Sequence, residues 1–138
     1  MPLPDIKHAL ICEDIRLERR NLSSFMGVYG YTPYVGIKIA NFQKPVGFCA
    51  LFAGTPGQGK YIIEAELRNP DGSQIEAEVM PKGFEFVFSP EMGGSAIGFR
   101  FRATFAGPET YTLALVNGGK VFHSETFRLL HGQQADFL

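Results

Sequence analysis

From Ile97 to Phe105 every second residue is apolar: Ile97, Phe99, Phe101, Ala103 and Phe105 alternate with Gly98, Arg100, Arg102 and Thr104. A period of two puts the first group on one face of an extended chain and both arginines on the other, the pattern of a half-buried β-strand. Phe84, Phe86 and Phe88 alternate likewise with Glu85, Val87 and Ser89, and the loop Pro90–Ser95, with its paired glycines, divides the two runs. Phe86, Phe99, Phe101, Phe105 and Leu113 are expected to share one core between two sheets.

The turns agree with this period. Asn69-Pro70-Asp71-Gly72 is turn chemistry, because Pro presets φ and Gly accepts a positive φ, and the flanks Tyr61–Leu67 and Gln74–Val79 both alternate. Asn117-Gly118-Gly119 between Tyr111–Val116 and Lys120–Leu130 is a strong short-range hairpin signal. Val46–Ala53 is almost continuously apolar, as in a strand central to a sheet. Thirteen Phe, five Tyr, sixteen Gly and nine Pro in 138 residues favour many short strands over helices. The expected fold is all-β: a single antiparallel β-sandwich domain over residues 1–138, immunoglobulin-like or related, with about eight to ten strands.

The first thirty residues admit two readings. Leu10, Ile11, Ile15, Leu17 and Leu22 fit an amphipathic helix, in which Glu, Arg and Leu are at ease. Leu22–Tyr29 offers that helix no partner, whereas a hairpin turning at Glu18-Arg19-Arg20-Asn21 fits both halves, and the β reading is adopted. The run Ile11-Cys12-Glu13-Asp14-Ile15-Arg16, a polar turn and then Met26-Gly27-Val28-Tyr29-Gly30 resembles the opening of an uncharacterised family of small bacterial proteins, a domain of unknown function. The resemblance covers these thirty residues, implies the hairpin and a bacterial origin, and brings no activity and no catalytic residue.

A looser likeness is to immunoglobulin-type sandwiches. Phe105-Ala-Gly-Pro-Glu-Thr-Tyr111 before an alternating strand resembles the tyrosine corner of such folds. The cysteine due two residues after the tyrosine is Leu113 here, and the core Trp is missing.

Motifs for chemistry fail on inspection. Gly54-Thr-Pro-Gly-Gln-Gly59-Lys60-Tyr61 falls short of a phosphate-binding loop: Tyr61 replaces the hydroxyl residue, and a strand follows where a helix N-terminus is needed. His8 and Cys12 on one strand stand about 13 Å apart, too far for one ion, and His123 and His131 lack partners at ligand spacing. Glu13 and Asp14, as strand neighbours, point to opposite faces; Asp14 is better suited to accepting backbone N–H bonds or pairing with a cross-strand base. Gly93-Gly94-Ser95-Ala96-Ile97 departs from a serine nucleophile elbow at its last position. Asp5, Asp14, Asp71 and Asp136 are too scattered for a calcium-binding loop end. No catalytic residue, metal or cofactor is expected.

Charge and composition bound the partners. Thirteen basic and fourteen acidic residues are interspersed, which argues against nucleic acid, and no apolar stretch approaches a membrane span. The N-terminal residues carry no signal-peptide pattern, so a cytoplasmic protein with Cys12 and Cys49 as free buried thiols is expected. The leading reading is a non-catalytic interaction or self-associating module. A small-ligand or carbohydrate-binding domain using Tyr29, Tyr31 and Tyr34 is second, and an enzyme third. A homodimer is expected through the last strand and tail: Lys120–Leu130 carries Val121, Phe122, Phe127, Leu129 and Leu130 without a proline, and the chain ends in Phe137-Leu138.

Overall fold

The computed structural model describes residues 3–17 and 23–132. Eleven strands follow in chain order: β1 (Ile6–Leu17), β2 (Ser23–Tyr31), β3 (Gly36–Ile39), β4 (Val46–Gly54), β5 (Gly59–Arg68), β6 (Gln74–Ile75), β7 (Ala77–Met80), β8 (Glu85–Phe88), β9 (Ser95–Ala103), β10 (Thr110–Asn117) and β11 (Lys120–His131). A three-residue 3-10 turn at Pro90–Met92 is the one helical segment among the described residues. The N-terminal segment is a hairpin in its described parts; the turn expected at Glu18–Asn21 lies outside the described residues.

The strands form two facing sheets. The first has the order β2-β1-β4-β9-β7 and the second β3-β11-β10-β5-β6, with β8 also paired to β5. Within these, β1-β4-β9-β7 and β11-β10-β5 follow the A-B-E-D and G-F-C orders of an immunoglobulin-type sandwich, and β2 is added outside strand A. All pairings are antiparallel except β3 on β11, which is parallel and makes the second sheet mixed. Glu76 separates β6 from β7 and hands the chain from one sheet to the other.

The alternation sets the core. Ile97, Phe99, Phe101 and Ala103 of β9 are buried between the sheets together with Phe105, Phe48, Phe52, Leu113, Leu115, Phe127 and Leu129. Phe88 is buried, Phe86 half-buried against this cluster, and Phe84 exposed, so the Phe84–Phe88 run has the expected facing but leaves the core progressively. Tyr111 makes the expected corner: its buried hydroxyl donates to Gly107 O at 2.6 Å and accepts from Gly107 N–H at 3.3 Å. Asn117 and Lys120 face each other across Gly118 and Gly119, both at positive φ, as a two-residue primed turn demands.

Two expectations about β11 are corrected. It is not an open edge, because β10 pairs on one side and β3 on the other. Phe127, expected at an interface, has no exposed surface and packs on Phe48 at 5.5 Å between ring centres. Leu129 is likewise buried. The period of two that makes this strand apolar puts Phe127 and Leu129 in the core, and Val121 beside the turn remains exposed.

Candidate functional site

The real edges differ greatly in how they are guarded. A free strand edge presents unpaired amides and carbonyls, and short length, charge or proline keeps other strands away. β3 has four residues and includes Lys38; β7 has four, includes Glu78 and runs into Pro81; β8 has four and includes Glu85; β6 has two. β2 has nine: Ser-Ser-Phe-Met-Gly-Val-Tyr-Gly-Tyr, with neither charge nor proline. Among the described residues it is bonded to β1 alone.

A bulge organises its side chains. The register passes from Ile11↔Gly30 to Cys12↔Val28, leaving Tyr29 as the extra residue. Val28 and Tyr31 therefore share the outer face with Cys12 and Leu10, although three positions separate them, and are 53% and 61% exposed. Phe25 and Met26 extend the exposed apolar surface. Tyr29 is half-buried against the core. Gly27 is required here: it has φ +64°, and a Cβ on it would lie 2.7 Å from Cδ of Glu13, whose side chain crosses it.

The segment after β2 is held from several sides. Thr32 N–H donates to Ala9 O and Tyr34 N–H to Tyr31 O, both at 3.0 Å, while Val35 is buried in the core. Thr32 Oγ1 donates to Glu125 Oε1 at 2.5 Å, and the other oxygen of Glu125 meets His123 Nε2 at 2.5 Å. His123 sets its ring edge-on to Phe52. Two residues apart on β11, His123 and Glu125 share a strand face, a spacing visible in the sequence; their connection to Thr32 is not. In a catalytic triad the histidine is central, bonded to nucleophile and acid. Here the carboxylate is central, so the cluster latches the β2–β3 connection to β11.

Tyr31 and Tyr34 project from this connection, Tyr34 with 90% of its surface exposed. The three tyrosines do not converge, since Tyr29 turns inward. Clefts lie elsewhere: one of about 450 Å³ where β5, β6 and β7 part, lined by Glu64, Glu66, Glu78, Met80 and Lys82, and one of about 380 Å³ on the first sheet, lined by Glu13, Arg100, Arg102 and Met80. Phe137 and Leu138 lie outside the described residues.

The remaining motifs have structural partners. Thr55 N–H donates to Asp5 O, Thr55 Oγ1 accepts from Asp5 N–H, and Gly57 N–H donates to the buried Ser95 Oγ at 3.1 Å. Two amides of the Gly54–Lys60 loop, those of Thr55 and Gly57, are thus already engaged within the chain, and β5 follows rather than a helix. Asp14 accepts from Ile15 N–H and pairs with Arg100 at 2.6 Å, fulfilling both roles expected of it. His8 is exposed, and His131 stacks on Phe42. Among the described residues no three of His, Cys, Asp and Glu gather so as to hold a metal ion, and no helix is long and apolar enough to cross a membrane.

Cys12 and Cys49 are free thiols, both buried and directly opposite each other on β1 and β4. Burial, reinforced by Cys49, pushes the Cys12 thiol up to about 11. Burial also raises Cys49, against the pull of the nearby Arg100 guanidinium.

Compared with known proteins, the chain matches no family model and no curated protein sequence.

Proposed function

We propose that the protein is a non-catalytic, self-associating interaction module in which β2 pairs antiparallel with β2 of a second copy. The observation that carries this reading is the contrast among edges: β2, the longest, carries neither charge nor proline, whereas β3, β7 and β8 are short and each includes a charge, and β6 has only two residues. A two-fold axis pairs the strand with its own reverse, so a charge near the axis would meet its own copy. β2 has none. Pairing would satisfy its outward backbone groups and cover Met26, Val28 and Tyr31 at once.

Sedimentation velocity of the full chain at tens of micromolar should show a species of twice 15.3 kDa. Val28→Lys places a charge on an exposed position of the paired strand and should leave a folded monomer. A single 15.3 kDa species for the unaltered protein overturns the reading. So does a Val28→Lys variant that remains dimeric.

A further inference from the structure

Beneath the arm formed by the end of β1 lies a row of three side chains. Cys12 is the register partner of Cys49, and Cys49 is the partner of Arg100 on its other side. Directly opposed residues share a face, so all three stand on the outer surface of the first sheet. Charged Arg100 is exposed there, but Cys12 and Cys49 are 0% and 2% exposed. The cover is the chain after Cys12. Asp14 reaches across β4 to pair with Arg100 on β9 at 2.6 Å, and the Cδ1 atoms of Ile15 and Leu51 both lie over Gly98 of β9. The thiols hold this cover: Cys12 Sγ donates to Asp14 O at 3.4 Å, and the Ile15 backbone hydrogen-bonds to Cys49.

We propose that Cys12 and Cys49 form a peroxide-sensitive dithiol that closes to a cross-strand disulfide when the Asp14–Ile15 cover lifts. Opposed residues of an antiparallel pair have Cα atoms about 4.5 or 5.5 Å apart, depending on their hydrogen bonding. Both spacings lie in the range of about 4.4–6.8 Å that a disulfide spans. The register alone thus brings the two backbones to a spacing that a disulfide spans. The step balances with hydrogen peroxide as oxidant. The Cys49 thiol gives up its proton beside Arg100, and the thiolate attacks one peroxide oxygen. The O–O bond breaks, Cys49 becomes a sulfenic acid, and the released hydroxide takes up the proton as water. Cys12 sulfur then attacks the sulfenic sulfur, and its proton leaves with the hydroxyl as a second water. Two thiols are oxidised, and one peroxide is reduced to two waters.

Asp14 controls access in two ways, by pinning the cover and by occupying Arg100. It also places a negative charge near both thiols, which disfavours either thiolate. This inference stands apart from the proposed β2 pairing and is read without it. The full-length folded protein is exposed to millimolar hydrogen peroxide, quenched, denatured with N-ethylmaleimide present, and weighed and mapped by mass spectrometry. The expected product is a chain two hydrogens lighter, unreactive to maleimide, with the Cys12 and Cys49 peptides linked. Cys12→Ala should leave a sulfenic acid on Cys49 that dimedone traps, and Asp14→Asn should speed closure several-fold. The unaltered protein should also close faster as pH is raised toward 9.0, the ordinary thiol value, which requires no variant to fold. Retention of two alkylatable thiols, sulfinic acid in place of the link, or disulfides only between chains would overturn the proposal. An Asp14→Asn variant, folded by circular dichroism, that closes no faster would overturn the role of the cover.

Discussion

Phe101 stacks on Phe48 across β9 and β4 with ring centres 5.2 Å apart, and neither ring has meaningful contact with water. Replacing Phe101 with Ala should cost about 3–5 kcal/mol, read as a fall in the denaturation midpoint, because the cavity cannot close among rigid strands. The Tyr111 hydroxyl serves the corner at Gly107 rather than the core, so Tyr111→Phe should cost about 1 kcal/mol. The thiols give the protein an alkaline limit. Cys12 holds its proton more tightly when folded, about 11 against an ordinary 9.0. The stability it contributes is complete below pH 9 and is lost as pH rises through 11. Unaltered protein should lose denaturant resistance across that window more steeply than Cys12→Ala. These residues differ in how far the sequence reveals them. Period two exposes the facing of Phe101, and an aromatic after Gly-Pro suggests the corner. Glu125 finds Thr32 across 93 positions, and Cys12 finds Cys49 across a register that no local pattern encodes.

Elements with strong local signals are the ones legible beforehand. β9 alternates, β4 is apolar throughout and proves central, and two turns fix their hairpins. β3 has four residues and pairs with β11 in parallel from far along the chain, so neither its existence nor its partner is announced. That one short strand is why β11 resembles an edge in the sequence and is covered in the structure. The weakness of β2 is hidden for the complementary reason: an uncharged strand signals an edge only once strand order is known. Where β4 ends, Gly54 lies so close to the start of β1 that a Cβ would sit 1.9 Å from Asp5 O. Gly54→Ala must push the two strands apart and should cost about 1–3 kcal/mol in thermal or chemical unfolding. An unchanged midpoint would mean that β1 does not begin against β4 in this way.

At the scale of the whole molecule, the sandwich places β2, the longest uncharged edge among the described residues, at the far side of the first sheet from β7, outside the strands of the immunoglobulin-type order. A nearly neutral chain, with net charge −1, adds little repulsion between copies. The latch of Thr32, Glu125 and His123 holds the end of β2 against β11, so the edge is presented by a fixed support. Hydrogen exchange of the backbone reads the proposed pairing most directly, because it reports the outward amides of β2 themselves. Measured across a range of protein concentrations, the amides of residues 23–31 should become more protected as concentration rises, while those of β7 exchange at a constant rate. The same gain should be absent in Val28→Lys. If β2 exchanges at one rate at every concentration, or if the gain in protection falls on another strand, the edge is not where this protein meets its own copy.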